Sequence, residues 1–347
     1  MTTATFPRII ALAGSLVLIG QMTASADEQV KVTADNFVRA ESDSYIAVAA
    51  KQAGSVGRFF HYEEAMPIDK QTVVRANRDT LYSAAIFDLD AGPATVTLPE
   101  AEGRFMSLQV INQDHYVVGN VHYGAGPYKI EREQAGTRYV LAAVRTLVNP
   151  EDPADVKKVH ELQAAIKIEQ PGGPGKLDLP RWDTKSQKDV HNALLILASS
   201  LPDTKRMFGD KDHVDPIRHL IGTASAWGGN PETDALYLNV TPPKNDGKTV
   251  YALTVPASVP VNGFWSISRY GKDGYFHKNK LDAYTFNNMT AKKEADGSTM
   301  IQFGGCNAGA GNCLPIEKGW NYMVRLYRPD TSVLDGSWTF PTAKPKD

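Results

Sequence analysis

Six consecutive residues, Arg75-Ala76-Asn77-Arg78-Asp79-Thr80, place two guanidinium groups, a carboxylate, an amide and a hydroxyl at the mouth of a run of strand formers, Leu81 to Leu89. Buried charges persist only when they are paired and hydrogen-bonded. Two readings are open. In one, Arg78 and Asp79 form a structural clamp inside a sheet. In the other, the segment is the polar end of a pocket. Arg75 and Arg78 would then hold an anion or a carbonyl oxygen, with Asn77 beside them as a further ligand contact. Asp79 would orient the ligand or act as a base. Tyr82 lies two residues on from Thr80 and shares its face of the strand, so it is a candidate proton donor.

A second segment, Phe264 to Tyr270, puts Trp265, Ile267 and Arg269 on one face by the same alternation. Trp beside a guanidinium grips planar or sugar-like ligands; the plainer reading is a core tryptophan with an arginine reaching for solvent. A third is the polar cluster Asn112, Asp114, His115 and Tyr116 at a strand end, where a lone histidine lacks a catalytic partner. The eight histidines are scattered. His115 and His122 fall on opposite faces of a strand, a poor arrangement for shared ligation. Asp212, His213, Asp215 and His219 form the densest His/Asp group, but they open a helix, where acids serve capping and the helix dipole. No Gly-x-Ser-x-Gly elbow, phosphate-cradling glycine loop or His-Glu-x-x-His motif is present. Neither a metal nor a cofactor is therefore expected. What remains is metal-independent acid–base or hydrolytic chemistry on an unidentified small molecule. The alternative is a non-catalytic binding or envelope protein.

The elements that must position these groups follow from pattern. Phe37, Ala40, Ile46, Ala49 and Ala53 recur at helical spacing, which predicts a helix over 33–53, capped by Thr33 or Asp35 and ended by Gly54. From Thr72 to Thr146 the period becomes two, as in Tyr139, Leu141, Ala143 and Arg145, with Gly/Pro punctuation at short intervals; this argues an antiparallel sandwich. Residues 151–226 return to helical spacing in three pieces, opened by Asp152-Pro153, near Ser186 and by Asp215-Pro216. They form either a lid over a site or a layer packed on a sheet. From Ala235 onward short strands resume, a second all-β domain of jelly-roll type.

The motifs Asn77 to Ser83, Phe87 to Asp90, Arg104 to Val110 and Gly136 to Tyr139 resemble the signature of the bacterial family called domain of unknown function 1254. Gly263 to Ser266, Asn321 to Tyr327 and Leu334 to Trp338 resemble domain of unknown function 1214. The resemblance implies two β-sandwiches with a helical insert and carries no chemistry with it. The expected fold class is mainly β with α: two antiparallel, jelly-roll-like sandwiches, an N-terminal helix and a three-helix insert. The expected divisions are a signal peptide at 1–26, a first domain at 27–150, the insert at 151–232 and a second domain at 233–347.

The leader rests on Arg8, the short apolar run Ile9 to Ile19 and the small residues Ala24-Ser25-Ala26. Spanning a bilayer would take about 20 apolar residues, which argues against an anchor. Cleavage near Ala26 predicts a periplasmic or secreted chain that begins at Asp27, with no membrane span. Removal of 26 residues from 347 leaves 321, and with Arg8 gone the formal charge moves from −2 to −3. Such a balance offers no footprint for nucleic acid. Cys306 and Cys313 flank a Gly/Asn-rich turn; an exported chain predicts a disulfide there, whereas a two-cysteine metal site would need ligands the neighbourhood lacks.

Overall fold

The structure, a computed structural model, describes residues 29–71, 73–307, 309 and 311–346. The expected leader lies outside the described residues. In chain order the first part runs α1 (Phe37–Ala53), β1 (Phe59–His61), β2 (Thr80–Asp88), β3 (Ala94–Leu98), β4 (Met106–Asn112), β5 (His122–Tyr123), β6 (Gly126–Ile130), α2 (Arg132–Ala135) and β7 (Tyr139–Leu147). Next come α3 (Pro153–Ala164), β8 (Lys167–Glu169), α4 (Thr184–Ala198) and α5 (Pro216–Ala226). The last part is β9 (Ala235–Val240), β10 (Tyr251–Val255), β11 (Trp265–Tyr270), β12 (Thr285–Asn287), β13 (Thr299–Phe303), β14 (Cys313–Leu314), β15 (Asn321–Tyr327), α6 (Thr331–Leu334) and β16 (Lys344–Pro345).

The first sandwich pairs a five-stranded sheet, β1-β2-β7-β4-β5, with a three-stranded one, β6-β3-β8. Between them lie Ala85, Phe87, Val96, Leu98, Leu108, Val110, Val140 and Val144. The other face of the five-stranded sheet takes α1, with Ile46, Ala49 and Ala50 on Ile86, Leu141 and Ala143. Strand β7 is therefore buried along its whole length. Helix α1 begins at Phe37, later than its spacing predicts, because Asn36 turns its side chain back to accept the Thr33 N–H at 2.8 Å. It ends as expected at Gly54, where the left-handed φ of 80° suits a residue without Cβ.

The helical stretch does not form one unit. Helix α3 sets Val156 and Val159 on Leu81 and Val148. Helices α4 and α5 instead pack on α1 through Phe37, Ala40, Leu194, Ile221 and Ala224, and so act as a packing layer. Strand β8 joins the first sandwich by pairing with β3. Asp152, Asp183 and Asp215 cap the three helices by accepting backbone N–H groups in the first turn.

The second sandwich stacks β12-β11-β15-β9 on β14-β13-β10-β16. Its core contains Tyr251, Leu253, Trp265, Ile267, Trp320, Val324 and Leu326. Cys306 and Cys313 form a disulfide, with Cα atoms 5.7 Å apart, that fastens β14 alongside β13. Among the described residues no helix is long and apolar enough to cross a membrane. Leu147, Ala235, Phe264 and Tyr327 pack together where the two sandwiches meet.

Candidate functional site

The junction is built from two cross-strand rows and the loop between them. In the first sandwich Tyr82, Arg145 and Ser107 lie side by side across β2, β7 and β4. In the second, Asn287, Ser266, Arg325 and Tyr237 lie side by side across β12, β11, β15 and β9. Side chains in register across antiparallel strands share a face. This face of the second sandwich turns away from its own core.

The loop from Arg75 to Asp79 stitches the rows together. Asn77 donates through Nδ2 to Thr80 Oγ1 at 3.0 Å, to the Tyr82 hydroxyl at 3.2 Å and to the Tyr327 hydroxyl at 3.3 Å. One amide thus touches a tyrosine from each sandwich. Its own Oδ1 accepts the Asp79 N–H at 2.8 Å, fixing the loop. Asp79 is fully buried and accepts at Oδ1 from Thr285 at 3.2 Å and Asn287 at 3.1 Å, both on β12. Its Oδ2 and the hydroxyl of Ser266 are buried without a hydrogen-bond partner. Unpartnered buried polar atoms are rare in native proteins and mark places where a guest or a water completes the network.

Arg325 donates to Ser268 at 2.9 Å, to the carbonyls of Arg75 at 2.8 Å and Ala76 at 3.3 Å, and to the Tyr270 hydroxyl at 2.7 Å. Burial works against its charge, but Tyr270, Tyr327 and Asp79 outweigh it and hold Arg325 above the ordinary arginine range. Arg145 donates to Gln109 Oε1 at 2.6 Å and to the Gly228 carbonyl at 2.7 Å, and its guanidinium stands 5.5 Å from the Tyr82 ring centre. Burial opposes this cation too, and the hydroxyls of Tyr82, Tyr237 and Tyr327 favour it.

The two tyrosines on Asn77 are driven apart. Burial would raise Tyr82, but Arg145 and the hydrogen bonds from Asn77, Thr80 and Arg145 outweigh it and hold the phenol below its ordinary value. Tyr327 is pushed well above it by burial and by Tyr237 and Tyr82. Tyr82 and Tyr237 keep partial solvent exposure, whereas Tyr327 is buried.

The expected clamp differs from what is found. Arg78 does not pair with Asp79: it donates to the Met66 carbonyl and stands 5.5 Å from the Tyr284 ring centre. Asp79 is committed to β12 instead. Arg75, at a left-handed φ of 55°, donates to Asn321 Oδ1 at 2.9 Å and lies 5.5 Å from the Tyr270 ring centre. Burial lowers both Arg75 and Arg78.

Trp265 and Arg269 do share a face, but the opposite one. Register places them beside Leu326 and Tyr322, inside the second sandwich. Trp265 belongs to that core, and Arg269 ends the row by donating to Glu317 at 3.0 Å. They do not join Arg75, Asn77, Asp79 and Tyr82; Ser266, Ser268 and Tyr270 take that place.

The cluster at Asn112 is closed on itself. Asn112 Oδ1 accepts the N–H groups of Asp114 and Tyr116 at 3.0 and 2.9 Å, and Arg39 holds Asp114 at 2.6 Å. His115 is buried, with Nδ1 2.8 Å from the Thr223 hydroxyl and Nε2 accepting the Gly228 N–H at 2.8 Å. Its ring sits in a stack running Tyr45, Trp227, His115, His219, Tyr116. His213 pairs with Asp210 while Asp215 caps α5, and no group of His, Cys, Asp and Glu among the described residues could hold a metal.

Arg145, Arg325, Tyr237 and Tyr327 were not singled out from sequence. A signal existed for both arginines. Arg145 closes an otherwise apolar alternation, Leu141 and Ala143, and Arg325 stands between Val324 and Leu326.

Residues 56–126 match the family Protein of unknown function (DUF1254), and residues 240–331 match Protein of unknown function (DUF1214). The matched spans contain the Asn77 loop, Tyr82, Ser266, Asn287, Arg325 and Tyr327; Arg145 and Tyr237 lie outside them. The fold is similar to that of the VPA0106 protein from Vibrio parahaemolyticus, at 17% identity and a TM-score of 0.68 over 90% of this chain and 98% of that one. An uncharacterized protein from Burkholderia cenocepacia is 12% identical, with a TM-score of 0.47 over 89% of this chain and 86% of the other. No curated protein matches.

Proposed function

We propose that this is an exported protein whose domain junction binds a small molecule and performs metal-independent acid–base chemistry on it. The observation that carries the reading is the Asn77 amide, which holds the hydroxyls of Tyr82 and Tyr327 at 3.2 and 3.3 Å, one from each sandwich. Titratable groups pushed apart by their surroundings divide into acid and base. Tyr82, lowered and partly exposed, is the proton acceptor or shuttle. Tyr327, raised and buried, is the donor that stays protonated. Asp79 fixes the geometry by anchoring the loop to β12. Junctions between domains are preferred places for such sites. The Cys306–Cys313 bridge supports an oxidising compartment.

The test is mass spectrometry of small molecules carried through native purification, followed by turnover of those molecules. Tyr82→Phe should abolish turnover, by about 100-fold or more for loss of a general acid–base group, while the fold is kept. Unchanged turnover in Tyr82→Phe would remove the reading. The export half is tested separately: N-terminal sequencing of the exported chain should begin at Asp27.

A second reading, a non-catalytic binding or envelope protein, draws on Arg325. Its bonds to two loop carbonyls and two hydroxyls are those of a structural fastener between domains. Bound small molecules with no turnover, equally in wild type and Tyr82→Phe, would favour it.

A further inference from the structure

We infer that the ligand of the junction is an anion, a small carboxylate or comparable oxyanion held by Arg145 beside the hydroxyls of Tyr82 and Tyr237. This rests on the proposed function and names its substrate class.

Four arginines stand at the junction: Arg75, Arg78, Arg145 and Arg325. Among the described residues, none of the four lies within ion-pairing distance of a carboxylate. Three buried or half-buried guanidinium groups elsewhere do have a counter-charge. Arg104 has Asp155, Arg138 has Asp88, and Arg269 has Glu317. The junction holds one buried carboxylate, Asp79, and its hydrogen bonds go to Thr285 and Asn287. Neutral acceptors satisfy part of each guanidinium without supplying a charge. Arg145, only 6% exposed, has a glutamine oxygen, a peptide carbonyl and the Tyr82 hydroxyl as its acceptors, all of them neutral when Tyr82 holds its proton.

Two anions can fill the deficit at Arg145: the phenolate of Tyr82 or a bound oxyanion. They compete, because both draw on the same cation. Arg145 already favours the phenolate over the phenol, which is the response expected of a cation lacking its partner. An oxyanion on Arg145 offsets that pull and so raises the pH at which Tyr82 gives up its proton.

The experiment uses the full mature chain at constant ionic strength. Benzoate and acetate are compared with benzamide and acetamide, by thermal shift and calorimetry. Tyrosinate absorbance is followed through the alkaline range in parallel, taking Tyr82 as the difference between wild type and Tyr82→Phe. The carboxylates should bind at least about tenfold tighter than the amides, the worth of a charge-assisted hydrogen bond. Arg145→Gln should erase that preference, and saturating carboxylate should move the Tyr82 phenolate to higher pH. Should Arg145→Gln fail to fold, the absorbance shift in wild type decides the matter alone. Equal binding of acid and amide, both lost in Tyr82→Phe, would overturn the anion while leaving the junction site standing. Binding of neither class would overturn both.

Discussion

Asp79 has no solvent exposure and no ion-pair partner, so its worth lies in the two β12 donors it accepts. Asp79→Ala strands the amide of Asn287, while the Thr285 hydroxyl keeps the Ile267 carbonyl at 3.2 Å, and an unpaired buried donor costs about 1–3 kcal/mol. A net loss of about 1–3 kcal/mol in chemical denaturation is expected, with Asp79→Asn losing less because it keeps an acceptor oxygen. Arg269→Ala should also destabilise, since Glu317 loses its buried partner. It should leave the profile of co-purified ligands unchanged, because Arg269 points into the second sandwich. At this scale the sequence was informative about residue types and poor about partners. The crowding of polar groups at Arg75 to Thr80 is visible in the chain. That Asp79 would reach Asn287, 208 positions away, is not.

Strands carry their alternation openly but not the sense of it. The pattern groups Trp265, Ile267 and Arg269 correctly as one face. Which face meets a core depends on where the partner sheet lies, and a shift of one residue exchanges the two. Trp265 turns to Tyr251 and Phe340, and Ser266 and Ser268 are left for the junction. Helices were easier, because Asp152-Pro153 and Asp215-Pro216 are start signals with local causes. Strand β8 was missed because Lys167-Ile168-Glu169 is too short to show a period and forms only by addition to β3. The disulfide was legible for the opposite reason, being local. Its effect should be local too: the Cys306→Ser, Cys313→Ser double variant is expected to lose about 2–3 kcal/mol for so small a closed loop. The same loss should appear when wild type is melted under reducing conditions.

Across the whole molecule the two sandwiches are joined by polar as well as apolar contacts. Arg325 and Tyr270 hold the backbone of the Asn77 loop, β12 holds Asp79, and Leu147 packs with Phe264 and Tyr327. Neither domain can release the loop without leaving buried donors unpaired. Calorimetry should therefore record one cooperative transition, with equal calorimetric and van't Hoff enthalpies. Arg325→Met should separate it into two. The mainly β plan of two sandwiches was legible through motif resemblance and strand punctuation. The junction was not, because its contacts join segments about as distant as the chain allows.

The peptide linking Trp227 to Gly229 has a consequence of its own. Gly228 gives its N–H to His115 and its carbonyl to Arg145, at 2.8 and 2.7 Å. One glycine is thus wired to an imidazole on one side and to the proposed anion-holding guanidinium on the other. Burial, then the neighbouring His219, keeps His115 well below the ordinary histidine range, so it is neutral in the folded chain. The stability this neutral form represents is complete above about pH 6.5 and is lost as pH falls toward the lowered folded value, by up to about 1.4 kcal/mol per pH unit. Protonation also turns an acceptor for Gly228 into a donor and so unseats the peptide that braces Arg145. Coupling of this kind is reciprocal: if acid weakens benzoate binding through His115, benzoate must expel the same proton. Calorimetry in buffers of differing ionisation enthalpy, at a pH where His115 is partly protonated, should register that release, and His115→Asn should silence it.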